Sequence, residues 1–149
     1  MAAPRSGTVI KVFSSLHQFW YRVTGGRLGS RINGMDVLLL TTKGRRTGKA
    51  RTTPLQYLRD GDTYVVVASN AGRDQPPAWW LNLKNSSTAR VQVKADTHAV
   101  RAEEVSDAER ARLWPLLTAA YNDYGVYAHA TSRHIPVVIL RPDGAGQTQ

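Results

Sequence analysis

Met35-Asp-Val-Leu-Leu-Leu-Thr-Thr-Lys-Gly-Arg-Arg-Thr-Gly-Lys-Ala-Arg-Thr-Thr-Pro-Leu-Gln-Tyr57 reads as a strand, a basic turn and a second strand. The apolar run Val37 to Leu40 leads into Lys43, Arg45, Arg46 and Lys49, grouped around Gly44 and Gly48, and the second extended run carries Arg51. Glycines permit left-handed backbone, so successive N–H groups can converge on an anion. The hydroxyls of Thr42 and Thr47 and the nearby cations would complete a phosphate or carboxylate site. This is not a nucleotide-triphosphate loop: Gly44 to Gly48 encloses three residues rather than four, and Ala50 stands where Ser or Thr would bind magnesium. A solvated hairpin tip is the other reading of the same turn.

Working outward, strands are expected at 36–42, 50–59 and 62–69, the last two joined by the hairpin signal Asp60-Gly61. Tyr64-Val-Val-Val-Ala-Ser69 has the composition of a strand buried on both faces. Residues 27–34 read as a loop. Before it, Val9, Val12, Phe13, Leu16, Phe19, Trp20 and Val23 recur at helical steps and predict an amphipathic helix over 9–24, ended by Gly25-Gly26. That helix is too short and too charged to span a bilayer. It packs on its own domain or touches a membrane surface.

Downstream, 70–77 reads as a loop and Pro77 sets the first turn of a short helix, Ala78 to Leu83. A hairpin is expected from 89–94 and 98–105. Ser106-Asp-Ala-Glu109 fits a capping box opening a helix to about Tyr121, bent by Pro115. Tyr121, Tyr124 and Tyr127 follow at three-residue steps, and a last strand is expected at 135–140. The order lacks regular βαβ alternation. It predicts an antiparallel sheet closed into a small barrel with accessory helices, an α+β architecture that is mainly β. One domain is expected at 9–142, between disordered tails at 1–8 and 143–149.

Composition narrows the chemistry. The chain of 149 residues has no cysteine, which removes disulfides, thiolate nucleophiles and cysteine metal sites. His17, His98, His129 and His134 form no pair at metal-ligand helix spacing, so no metal site is expected. The net charge is +9, and eleven of the twenty Lys and Arg precede residue 60, where Asp36 is the only earlier acid. Such a half attracts anions: an acidic cofactor or an anionic membrane. Nucleic acid is not expected, because no helix-turn-helix, zinc-finger or aromatic RNA-binding signature accompanies the charge.

Three segments could converge on a site: the basic turn, the segment Ser69 to Asn82 with Trp79 and Trp80, and the three tyrosines. Aromatics and amides beside an anion pocket suit a planar heterocycle with an acidic tail. Each part has a structural reading too, the tryptophans as core and the tyrosines as one helical face. No Gly-x-Ser-x-Gly elbow is present, which leaves cofactor-borne chemistry as the better enzyme reading.

Leu38-Leu-Leu-Thr-Thr-Lys-Gly-Arg-Arg-Thr-Gly-Lys-Ala-Arg-Thr-Thr-Pro-Leu55, Val67-Ala-Ser-Asn-Ala-Gly72 and Pro77-Ala-Trp-Trp-Leu-Asn-Leu83 together resemble the deazaflavin-dependent nitroreductase family of split β-barrel proteins, quinone reductase-like and FMN-binding-like in fold, whose cofactor is coenzyme F-420. The resemblance covers roughly residues 10 to 142. It implies that Arg45, Arg46 and Thr47 cradle the cofactor phosphate and the neighbouring acidic poly-γ-glutamate tail, and that Arg51 pairs with its lactate or glutamate carboxylates. Thr52, Thr53, Pro54, Leu55 and Gln56 would line the deazaflavin, with Val67, Ala68, Ser69 and Asn70 beneath it. Ala78, Trp79, Trp80, Leu81 and Asn82 would close the other side. Tyr124, with Tyr121 and Tyr127, would stand over the substrate and donate a hydrogen bond or proton. One position departs from the pattern: Asn70 stands where the family often has Lys, and Lys43, Arg46 or Lys49 would compensate.

The function so implied is an oxidoreductase that passes a hydride from reduced coenzyme F-420 to a quinone, with nitroaromatics or activated C=C bonds as other acceptors. The alternatives are an FMN-binding split-barrel oxidoreductase and a non-catalytic carrier or membrane-surface protein. The expected location is the cytoplasm, with peripheral contact at the inner face of the membrane through 9–24 as a variant, and the expected state is a monomer or homodimer.

Overall fold

The computed structural model describes residues 31, 32 and 35–143. The predicted helix over 9–24 and the two tails lie outside the described residues, apart from Asp143. The elements are β1 (Arg31–Ile32), β2 (Met35–Lys43), β3 (Ala50–Asp60), β4 (Thr63–Val67), α1 (Ala78–Asn85), β5 (Thr88–Val93), β6 (Asp96–Glu104), α2 (Asp107–Ala120), α3 (Asp123–Ala130) and β7 (Val137–Pro142). All strand pairs are antiparallel. The order β2-β3-β4-β7-β6-β5 returns to β2 through Leu39↔Gln92, Leu40↔Val91 and Thr41↔Arg90, so six strands close a barrel. β1 pairs with Met35 and Asp36 inside the segment read as a loop.

Alternation sorts most of the buried side chains into two cores, with Val37 and Leu39 of β2 buried apart from both. Leu38 and Leu40 of β2, Tyr64 and Val66 of β4, Val91, Val100 and Leu140 fill the barrel, which Trp79, Trp80 and Leu83 of α1 close at one end. The opposite pleats of β4 and β7, Val65, Val67, Val137 and Ile139, pack outside it with Leu113 and Leu117 of α2 and Tyr124 of α3. β4 is therefore buried on both faces, and its uninterrupted aliphatic run follows from that.

The barrel is split along β3. β4 pairs with β3 only from Leu58↔Val65 to Asp60↔Thr63, while β3 runs on beside β2 to Ala50. Pro54 sits in the stretch that β4 does not pair, where a residue with no N–H is tolerated.

The Ser106 hydroxyl caps α2 by accepting from the Glu109 N–H at 3.2 Å. The reciprocal half of the expected box does not form. The Glu109 carboxylate instead accepts from Arg112, which also holds Asp60 at 2.7 Å and ties α2 to the β3–β4 hairpin. The helix runs through Pro115 as one element. It stops at Tyr121, whose backbone is extended (φ −147°), so the tyrosines are divided between a helix end and a second helix. No helix among the described residues is long and apolar enough to cross a membrane.

Hydrogen bonds from Arg112 hold the Asp60 and Glu109 carboxyls below the usual carboxylate range. Their folded-state values are depressed, so the stabilisation is present above the unfolded carboxylate pKa and disappears as pH falls through the folded values. Arg112→Gln should lower the urea midpoint slightly at neutral pH, because the network is solvent-exposed. The gap between variant and parent should close on acidification; a gap that persists in acid would show that Arg112 stabilises by packing alone.

Candidate functional site

The tip of the β2–β3 hairpin is folded tightly by its own backbone. The Gly44 N–H donates to Lys49 O and the Gly48 N–H to Gly44 O, both at 2.8 Å, and Gly48 closes the turn at φ +73°. The Lys49 N–H donates to the Thr47 hydroxyl at 3.2 Å. The Arg45 N–H donates to Asn82 Oδ1 at 3.1 Å. Four N–H groups of the turn are thus already used, which corrects the expectation of a backbone nest: those of Arg46 and Thr47 remain among the described residues. Attraction for an anion comes from side chains instead. Lys43, Arg45, Arg46, Lys49 and Arg51 are all exposed, and among the described residues none is in an ion pair.

Asn82 is what fixes this tip to the body. It is buried, with 4% of its surface exposed, and its Nδ2 donates to the buried Thr42 hydroxyl at 3.0 Å while Oδ1 holds Arg45. One amide therefore satisfies β2 and the turn together, as a buried polar group must. Trp79 and Trp80 take the core reading. Both rings lie in the barrel core, 6.4 Å apart and edge-on. Ala78 is exposed at the start of α1, and Leu81 is half-buried.

Along β3 the side chains of 52–56 alternate between faces. Thr53 and Leu55 oppose Leu40 and Leu38 on the barrel side, whereas the Thr52 hydroxyl meets that of Thr41 at 2.8 Å on the other. A planar ligand can reach both sets only along the strand edge that β4 leaves.

At the end of β4, Val67, Ala68 and Ser69 are buried, and Asn70-Ala-Gly72 makes a single left-handed turn with φ of 48°, 55° and 78°. The Asn70 side chain is spent locally, donating to Gln75 O at 2.8 Å. The turn packs on α3. A Cβ on Gly72 would lie 3.1 Å from Ala130 Cβ and 3.2 Å from Tyr127 Cα.

The tyrosines form one cluster, and Val67 shares its core with Tyr124. The Tyr124 ring stands edge-on to Tyr121 at 5.0 Å. The Tyr121 hydroxyl donates to Asp123 Oδ2 at 2.9 Å and lies 3.2 Å from that of Tyr127. With the Tyr121 proton on Asp123, the Tyr127 hydroxyl is left as the donor to Tyr121. Tyr124 is buried as a residue, but its hydroxyl, which makes no hydrogen bond among the described residues, is open to solvent. Burial pushes its pKa well above the ordinary phenol value, with the neighbouring Tyr127 adding to the shift. Burial does the same to Tyr121, helped by its contacts with Tyr127 and Asp123. Both are neutral phenols at physiological pH. Asp123 and Gly72 were not picked out from the sequence; Asn122-Asp123, a pair that interrupts helices, was the signal available.

The turn is tied to α1 through Asn82, and the segment after β4 is tied to the tyrosine cluster through Gly72 and Val67. Exposed cations and neutral phenols suit a ligand with an acidic tail and a reactive ring.

The family model for F420H(2)-dependent quinone reductase matches residues 14–142. An F420H(2)-dependent quinone reductase of Mycobacterium tuberculosis (strain H37Rv) is 43% identical over 129 residues, covering 84% of this chain and 87% of that one. Among solved structures, an F420-H2 dependent reductase (FDR-A) is 35% identical with a TM-score of 0.65, over 70% of this chain and 93% of that one. A chain solved as a domain-swapped dimer is 29% identical with a TM-score of 0.68, over 91% of this chain and all of that one.

Proposed function

The chain belongs to the F420H(2)-dependent quinone reductase family, and from that premise we propose how its residues bind reduced coenzyme F-420 and reduce a quinone. The observation that carries the reading is the set Arg45, Arg46, Lys49 and Arg51, anchored through Asn82 and without acidic partners among the described residues. Arg45, Arg46 and Thr47 hold the phosphate and Arg51 the tail carboxylates, by charge-assisted hydrogen bonds. The β3 edge at Thr52, Thr53, Pro54, Leu55 and Gln56 receives the ring, over Val67, Ala68, Ser69 and Asn70. Ala78 and Leu81 border it, while Trp79, Trp80 and Asn82 support the wall from within. Asn70 makes no charged contact, and Lys43 and Lys49 supply that charge.

When bound, the reduced coenzyme supplies the hydride. The chain contributes orientation and a hydrogen bond to the acceptor oxygen as negative charge develops there. Tyr124 is the best placed donor, since its proton is uncommitted while that of Tyr121 is held by Asp123. Nitroaromatics and activated C=C bonds are other acceptors such a site can serve. Peripheral membrane contact, assigned to 9–24, lies outside the described residues.

The test is a fluorescence titration with coenzyme F-420 beside FMN at two salt concentrations, followed by quinone turnover. Salt-sensitive binding of the deazaflavin alone is expected, and a preference for FMN would discard this cofactor. In Tyr124→Phe, quinone reduction should fall about ten-fold or more while coenzyme affinity stays close to the parent's. Equal turnover removes Tyr124 from the mechanism.

A further inference from the structure

The segment between α3 and β7 carries Arg133, which reaches back to the end of β4. Its Nη1 donates to Ala68 O at 3.3 Å and its Nη2 to Ser69 O at 3.0 Å. Nη2 and Nε donate to Arg73 O at 3.2 and 3.3 Å, and Nη1 also meets His134 O at 3.4 Å. The guanidinium therefore grips carbonyls on both sides of the turn Asn70–Gly72. A second tie lies beside it, from the Thr131 hydroxyl to Asp74 Oδ1 at 2.8 Å.

That turn needs holding. Asn70 and Ala71 are left-handed at φ of 48° and 55°, a conformation that L residues with a Cβ adopt at a cost and keep only where their surroundings enforce it. Of its bonds within the loop, Gly72 N–H to Ser69 O at 3.0 Å shares its acceptor with Arg133, while Arg73 N–H donates to Asn70 O at 3.1 Å. Gly72 in turn lies against the backbone of Tyr127. A strained turn is thus clamped between Arg133 and the helix that carries Tyr124 and Tyr127.

We infer that Arg133 is a positioning residue for hydride transfer: by gripping the carbonyls that flank Asn70–Gly72 it sets where Val67 to Asn70 lie relative to Tyr124 and Tyr127. The inference rests on the proposed function. An arginine is required because its planar fork sends several N–H groups to separate backbone acceptors at once, whereas a lysine ammonium is a compact point charge on a flexible stem. Misplacement by about 1 Å is enough to lose about a hundred-fold in rate.

The experiment is single-turnover oxidation of the reduced coenzyme by a soluble naphthoquinone, with both saturating, in full-length parent, Arg133→Lys and Ala71→Gly, at a temperature where circular dichroism shows each folded. In Arg133→Lys the saturating rate should fall about ten- to a hundred-fold, more than the Michaelis constant for quinone changes. Ala71→Gly relieves the strain and loosens the turn while sparing Arg133, so it should melt no lower than the parent yet transfer hydride more slowly. A purely structural arginine would lower the melting point and leave the rate per folded molecule intact. That result overturns the inference, as does a change in the Michaelis constant alone. Should Arg133→Lys not fold, Ala71→Gly decides: a slower rate supports the inference and a parental rate overturns it. A parent that binds no coenzyme or reduces no quinone removes the proposed function and this inference with it, a result distinct from an active parent with unaffected variants.

Discussion

Gly72→Val is expected to lower the free energy of unfolding by about 3 kcal/mol or more, from two additive causes. Residue 72 sits at φ +78°, where a β-branched side chain is strained by about 1–2 kcal/mol. The new Cβ also meets Ala130 Cβ at 3.1 Å and Tyr127 Cα at 3.2 Å, so a helix backbone must yield, and such overpacking costs about 1–3 kcal/mol. Gly61→Ala makes the control, since Gly61 has φ +61° with nothing within 4 Å of the added carbon. It isolates the conformational part. Denaturant unfolding gives both values, and a Gly72→Val loss no larger than that of Gly61→Ala would mean that the turn is not packed against α3. Quinone reduction should fall with stability in the Gly72 variant only, because only there does the tyrosine helix move.

The double replacement Arg46→Ala with Arg51→Ala is expected to weaken coenzyme binding by about 3 kcal/mol, or about a hundred-fold. Each arginine lost removes charge-assisted hydrogen bonds worth about 1.5–3 kcal/mol, and solvent screening at this exposed tip brings the pair toward the lower end. The melting point should change little, since neither side chain is paired among the described residues. Titration at low and high salt provides the check: the parent should lose affinity with salt and the double variant much less. An unchanged dissociation constant would return the turn to the solvated-hairpin reading.

Local pattern carried much of this fold. The alternation in β5 and β6, the doubly buried run of β4 and the Asp60-Gly61 hairpin are legible because each is decided by neighbours a few residues away. The closure of β2 on β5 was not legible in register, since Leu39 and Gln92 belong to one pair only through the whole sheet. β1 was missed because two residues against Met35 and Asp36 leave no periodicity to read. The equal spacing of Tyr121, Tyr124 and Tyr127 suggested one helical face, yet the chain turns extended at Tyr121 and restarts a helix at Asp123. The basic turn was evident from charge. The spending of the Arg45 N–H on Asn82 was not, because that partner depends on where α1 docks.

The seam at which the ring closes bears on the order in which the protein assembles. The β2–β3, β3–β4 and β5–β6 hairpins join neighbours in sequence and can form within about 1–10 μs. Leu39–Thr41 against Arg90–Gln92, and β4 against β7, must wait for distant parts of the chain to meet, and the entropy of closing those long loops sets the pace of folding. The basic tip hangs on an early hairpin, but its anchor Asn82 belongs to the helix between β4 and β5, and Tyr124 belongs to one just before β7. The proposed coenzyme site is therefore a late product of the folding pathway. Ligand stabilises the finished barrel by mass action and slows its unfolding, while leaving the rate-setting closure of the long loops untouched.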